Sequence, residues 1–276
     1  MHSDIALSLE FLNSHPLDAA RVLEGIPVHD TALFIKSIPP DIAAGVMMHM
    51  DSLMIIRCSE LMEPIVTSAI IQRLPLGIAS MVLRKMDPAL KDSVMTSIPT
   101  EIFESINLML RYPEGTAGAL MDPRYFVIPQ DIDLKEALKR LQHHLKRDTS
   151  FIYVVTRDHE LLGYINTHEF LSLDSETPIS SIIHEGPWRL SAYSDRQQIL
   201  MNPGWREFHT LPVVDEKGVF LGAIDYKTIR RIEIEADKTL AHSPLNQTVA
   251  AIGELFWVGL SGLVKGVASA VTPRKE

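Results

Sequence analysis

Across the first 110 positions, apolar residues recur with helical spacing in short blocks, and the blocks themselves recur. Ile26-Pro27, Ile38-Pro39, Met50-Asp51, Met62-Glu63, Leu74-Pro75, Met86-Asp87 and Ile98-Pro99 follow one another every 12 residues. Each pair joins an apolar residue to a helix starter or breaker. Pro and Asp suit the first turn of a helix, where backbone N–H groups have no intrahelical partner. Between the pairs run segments such as Thr31-Ala-Leu-Phe-Ile-Lys36 and Ala79-Ser-Met-Val-Leu-Arg84, with apolar residues at helical spacing. The pattern predicts a stack of helices of roughly 8–10 residues each. None would be stable alone in water. Stacked, they bury one continuous stripe as a small right-handed solenoid. Met47, Met48, Met50, Met54 and Met62 read as adaptable core packing.

Beyond residue 110 the period changes. Phe151-Ile-Tyr-Val-Val155, the polar turn Arg157-Asp-His-Glu160 and Leu161-Leu-Gly-Tyr-Ile165 predict two adjacent strands. Thr210-Leu-Pro-Val-Val214, the turn Asp215-Glu-Lys-Gly218 and Phe220-Leu-Gly-Ala-Ile224 predict the same pair again, 59 residues on. A constant offset marks an internal duplication. Phe126-Val-Ile128 and Trp188-Arg-Leu190 are expected as short leading strands. Residues 133–144 are expected as an amphipathic helix with Leu134, Ala137, Leu138, Leu141 and Leu145 on one face. Gln197 to Trp205 is its weaker counterpart, ended or kinked at Pro203-Gly204. Thr167 to Leu171 starts a further helix.

Composition narrows the function classes. The 276 residues suffice for about two domains, and 46% are hydrophobic, enough for real cores. The net charge of −9 argues against a nucleic-acid partner. The single cysteine, Cys58, makes neither an internal disulfide nor a thiolate metal site, so a reducing cytoplasm is expected. The N-terminus shows no signal peptide. The histidines are dispersed: His143 and His144 diverge on a helix, while His168, His184 and His209 stand singly and read as surface or capping groups. With no nucleophile–base order and no Walker motif, no enzyme is expected.

Thr248 to Val271 is an apolar stretch of 24 residues interrupted by Glu254 and Lys265. It is long enough to cross a bilayer, though each charge opposes insertion. Phe256 and Trp257 suit an interface, and Gly262 and Gly266 have the spacing of close helix contact. Three readings stay open: a membrane-spanning helix, an amphipathic helix lying on the membrane, or a helix packed on protein or on a second copy.

Leu211-Pro-Val-Val-Asp215, followed by a Gly turn and Leu221-Gly222, makes the duplicated unit resemble a CBS-domain pair. Arg111-Tyr-Pro-Glu-Gly-Thr-Ala-Gly-Ala-Leu-Met121 resembles the junction of the MgtE family of magnesium transporters, in which a helical domain precedes a CBS pair in the cytosol. The resemblance covers roughly residues 15–240. It implies an α+β fold: an all-α superhelical domain over 1–110, a tandem CBS pair of βαββα units over 111–228 (divided near 174), a connecting helix and linker over 229–246, and the apolar helix over 247–276.

The same resemblance implies site residues. For Mg²⁺ they are Glu207, Glu233 and Glu235. Lys227-Thr228 and Gln197 stand where the family carries carboxylates, and a Lys ammonium repels Mg²⁺. For an adenine nucleotide between the CBS copies they are Asn166 and Glu169 in the first copy and Asp225, with Thr228, in the second. Phe256, Trp257, Gly262 and Gly266 would contact a membrane or a partner helix. The expected protein is a regulatory, non-catalytic homodimer linked to magnesium transport, at the inner face of the plasma membrane, and signalling to a pore subunit. The alternatives are a membrane-tethered scaffold without metal sensing and a nucleotide-sensing CBS module.

Overall fold

The helix starts follow the 12-residue ladder. In a computed structural model, which describes residues 9–142, 151–174, 176–186 and 188–230, the residues before successive helices are Pro27, Pro39, Asp51, Glu63, Pro75, Asp87 and Pro99. All seven share one extended conformation, with φ between −62 and −52° and ψ between 135 and 143°. Three precede a proline at the first helical position, which itself disfavours the α region before it.

The helices are α1 (Pro16–Glu24), α2 (Val28–Ser37), α3 (Pro40–Met47), α4 (Ser52–Glu60), α5 (Pro64–Ile71), α6 (Leu76–Lys85), α7 (Pro88–Thr96) and α8 (Thr100–Leu110). Each packs on the helix two places along, so a layer repeats every 24 residues. The ladder positions Met50, Met62, Leu74, Met86 and Ile98 are buried, whereas Ile26, at the first rung, is exposed. Met47 joins them in the core, while Met48 faces outward. Two threonines join successive helices: Thr31 Oγ1 donates to the Leu23 carbonyl at 3.1 Å and Thr67 Oγ1 to the Ser59 carbonyl at 3.2 Å. Both satisfy carbonyls at a helix end that would otherwise lack a partner.

A short helix α9 (Ala117–Leu120) leads into two three-stranded sheets. The first has β1 (Val127–Pro129), β2 (Phe151–Val155) and β3 (Leu161–Asn166). The second has β4 (Leu190–Ser191), β5 (Thr210–Val214) and β6 (Phe220–Asp225). In each the leading strand is parallel to the middle one, the last two form an antiparallel hairpin, and a bulge interrupts the hairpin at the second Val of Val-Val. Val154 pairs with Gly163 and Val213 with Gly222, preserving the 59-residue offset. The positive φ of His159 (62°) is matched by Gly218 (83°) at the equivalent turn.

The helix of the first copy, α10 (Leu134–Gln142), buries Leu134, Ala137 and Leu141 as expected, whereas Leu145 lies outside the described residues. Helix α11 (Thr167–Ser172) follows β3 where expected. Two local expectations are corrected. The leading strands begin at Val127 and Leu190, one and two residues later than expected. In the second copy the expected helix from Gln197 to Trp205 is broken. Helix α12 (Arg196–Leu200) ends at Met201, and a separate 3₁₀ turn covers Pro203–Arg206. Pro203 has no N–H to continue the ladder, and Asn202 starts the new turn by accepting from the Gly204 N–H.

The chain divides into two compact units, Met1–Asp225 and Tyr226–Glu276; of the second, residues 226–230 are described and are helical.

Candidate functional site

The two sheets meet turn to turn. Leu161 N–H donates to Gly218 O at 2.9 Å and Phe220 N–H to His159 O at 2.8 Å, around a bridge between Glu160 and Val219. Each of these groups has its counterpart 59 residues away, so the contact has local two-fold symmetry. Tyr153, Val155, Leu161, Val214, Phe220 and Ala223 fill the space between the copies.

The copies also exchange edge segments. Asp122, which precedes the first copy, pairs with Ala223 on β6 of the second, through bonds of 2.8 and 3.2 Å. His184, which precedes the second copy, pairs with Tyr164 on β3 of the first, through bonds of 2.8 and 3.0 Å. The exchange needs the two Leu-Gly glycines. A β-carbon on Gly163 would collide with the His184 carbonyl oxygen, and one on Gly222 would lie 2.6 Å from that of Asp122.

Between the copies on the His184 side lies a crevice of ≈ 280 Å³, its open mouth included. Its walls carry Tyr153, Tyr164, Trp188, Phe208, Leu211 and Pro212. The Phe208 ring lies 5.0 Å from that of Tyr164 and 4.8 Å from that of Phe151. Thr210 also lines the crevice; its carbonyl accepts from the Tyr153 hydroxyl at 2.9 Å, and its hydroxyl lies 3.3 Å from that of Tyr125. Burial pushes the Tyr153 phenol far above its ordinary pKa, so it remains a neutral donor. The arrangement offers aromatic faces and a few fixed polar groups, which suits a flat, partly apolar ligand.

Of the residues singled out for a nucleotide, Asn166 and Glu169 lie beside this crevice. Asn166 caps α11, its side chain accepting from the His168 N–H at 2.9 Å. Glu169 Oε2 lies 2.6 Å from His184 Nε2. Asp225 is exposed and pairs across the sheet with Thr210, at the end of β6 beside the Asp122 exchange. His184, expected to be a solitary surface or capping group, is paired, stacks 5.5 Å from Tyr164 and supplies the exchange bonds. Its one sequence signal is its place 62 residues after Asp122, which becomes meaningful once the pairing is known.

Of the metal candidates, Glu207 is exposed at the end of the 3₁₀ turn. Glu233 and Glu235 lie outside the described residues, as do Phe256, Trp257, Gly262 and Gly266. Among the described residues, no three His, Cys, Asp or Glu side chains are grouped to hold a metal ion. Glu207 therefore needs ligands from elsewhere to form a Mg²⁺ site. Among the described residues no helix is long and apolar enough to cross a membrane.

The motif from Arg111 to Met121 forms the joint between the helices and the sheets. Helix α9 packs on α6 and α8 on one side and on β4 and β6 on the other. Ala117 N–H donates to Ser194 O at 2.9 Å and Gly118 N–H to Ala192 O at 2.8 Å. Lys85 Nζ meets Glu114 Oε2 at 2.6 Å, and the Tyr112 ring packs edge-on against Tyr193 with centroids 5.4 Å apart. Gly115 adopts φ 81°, and Gly118 leaves room for the Tyr112 ring. Burial, with Tyr193 and Asp215 nearby, holds the Tyr112 phenol above its ordinary pKa.

Both halves of this arrangement match known families. A model of the MgtE intracellular N domain matches residues 14–115, and a model of the CBS domain matches residues 117–183. The chain has the cytosolic architecture of the MgtE family. It is 24% identical over 159 residues to the magnesium transporter MgtE of Thermus thermophilus, covering 57% of this chain and 35% of the relative. It is 23% identical over 147 residues to the magnesium transporter MgtE of Bacillus subtilis, covering 52% and 33%. The matched region thus spans about a third of the length of these curated relatives. Among solved structures, the cytosolic domain of the Mg²⁺ channel MgtE in complex with ATP superposes with a TM-score of 0.73 at 22% identity, covering 84% of this chain and 96% of that one. The soluble part of a magnesium transporter gives 0.64 at 20%, covering 86% and 99%. The second CBS copy lies beyond the span matched by the family model, and its β4–β6 sheet repeats the topology of β1–β3.

Proposed function

We propose that this chain is a non-catalytic regulatory module of MgtE-type magnesium transport, in which ligand occupancy biases how the helical domain sits on the CBS pair. The observation that carries this reading is the joint at Ala117 and Gly118. Its main-chain bonds tie the end of the helical stack to the second CBS copy, so a change between the copies moves the stack. Mg²⁺ is the ligand favoured by the relatives, with Glu207, Glu233 and Glu235 as contributing carboxylates. In this reading the module faces the cytoplasm at the inner face of the plasma membrane, pairs with a second copy, and passes its state through residues 229–240 to an integral-membrane pore subunit.

The test is limited proteolysis of the full chain with and without millimolar Mg²⁺. Protection that saturates with Mg²⁺ and weakens in Glu207→Gln supports the reading; identical digestion patterns reject metal sensing and leave a scaffold. Membrane contact through Thr248 to Val271 is tested by carbonate extraction of the full chain and of a version ending at Asn246. Resistance of the full chain alone supports insertion, and release of both rejects it.

A second reading has its own support. The aromatic crevice between the CBS copies, with Thr210 in its wall and Glu169 beside it, fits an adenine nucleotide. A calorimetric titration with ATP, ADP and AMP tests it, and three flat titrations reject it.

A further inference from the structure

The crevice, at ≈ 280 Å³ with its mouth included, is at the small end for a ligand of nucleotide size. To admit one, a wall has to move. The wall formed by β5 is fixed by its ladders to β4 and β6. The opposite wall carries Gly186 and Trp188, which follow His184 in the chain. This wall is anchored to the first copy at His184 by two groups of contacts. One is the main-chain pair with Tyr164, at 2.8 and 3.0 Å. The other is the side-chain contact of His184 Nε2 with Glu169 Oε2, at 2.6 Å, backed by the Tyr164 ring.

We infer that His184 and Glu169 form a clasp that holds the Gly186–Trp188 wall closed and opposes ligand entry. The inference rests on the nucleotide reading of the crevice. The main-chain pair is built into the exchange of edge segments and survives any side-chain change. The side-chain contact is the separable part. Its groups are 48% and 38% exposed, so the clasp is weak enough to open in ordinary thermal motion. It also engages the carboxylate beside the crevice, so a bound ligand and His184 compete for Glu169.

The test is ATP binding by calorimetry to the full chain and to His184→Ala and His184→Gln, with thermal melts to verify that each is folded. Removing the imidazole should tighten ATP binding by about 1.4-fold to fivefold, the range an exposed pair of this kind supports. His184→Gln, which keeps a donor for Glu169, should stay close to the parent. Equal affinity in all three proteins overturns the clasp and leaves the nucleotide reading intact. Weaker binding by His184→Ala also overturns it, because His184 would then hold the ligand instead of excluding it. No ATP binding by any of the three overturns both the clasp and the nucleotide reading.

Discussion

Gly222 lies against the main chain of Asp122 so closely that a β-carbon would come within 2.6 Å of the Asp122 carbonyl oxygen. The two residues are 100 positions apart and belong to different copies of the duplicated unit. Their contact explains why a Leu-Gly pair recurs in both hairpins. It permits an edge segment from one copy to complete the sheet of the other.

Gly222→Ala should therefore destabilise the protein by about 1–3 kcal/mol, the usual cost of forcing an extra methyl into a packed site. Gly163→Ala should cost at least as much, since its β-carbon would strike the His184 backbone. Gly45, inside α3, is the control: a β-carbon there would meet nothing within 4 Å. Gly45→Ala should be stabilising by about 0.5–1 kcal/mol. Denaturant melts measure all three.

The joint at Tyr112 gives a double-mutant test. Gly118→Ala drives a methyl into the Tyr112 ring and should cost about 1–3 kcal/mol. In a Tyr112→Ala background the same change should cost much less, because the obstructing ring is gone. Additive costs would show that the ring and the glycine are not coupled.

Two rungs of the helical ladder use a true side-chain cap. Asp87 accepts from the Ala89 and Leu90 N–H groups at 3.0 and 3.3 Å, and Asp51 accepts from Leu53 N–H at 2.9 Å. Asp87→Ala and Asp51→Ala should each cost about 1 kcal/mol in chemical melts. Glu63 holds the same rung position without a side-chain cap bond. Its exposed carboxylate instead meets Lys36 at 3.1 Å.

Cys58 is sealed in the helical core, and burial pushes its thiol up from 9.0 to about 11. The fold thus favours the protonated thiol. That contribution is fully present below pH 9 and is lost as pH rises toward 11. A thiol reagent at pH 8 should leave Cys58 unmodified until denaturant is added. Rapid labelling of the folded protein would show that the core opens locally.

Much of this fold is legible in the sequence because its repeats are short and regular. The 12-residue ladder locates helix starts from Pro27 to Pro99, and the 59-residue duplication locates both hairpins with their registers. The same local patterns are silent on contacts between distant segments. Nothing near His184 announces its pairing with Tyr164 or Glu169, and nothing near Asp122 announces Ala223. The second-copy helix reads too long in the sequence because its apolar spacing continues past Asn202, while the missing N–H of Pro203 and the Asn202 cap end it. At the candidate site, Asn166 and Glu169 stand out by their three-residue spacing. The aromatic walls at Trp188 and Phe208 do not, since they come together only when the two copies meet.

The most direct test of magnesium-dependent docking is hydrogen exchange at the Ala117 and Gly118 amides of the full chain during a Mg²⁺ titration. Both amides donate across the joint to Ser194 and Ala192, so they report whether the helical domain stays docked on the CBS pair. Protection that rises with Mg²⁺ and saturates in the millimolar range is the expected result. Exchange at both amides that is the same with and without Mg²⁺ would contradict it.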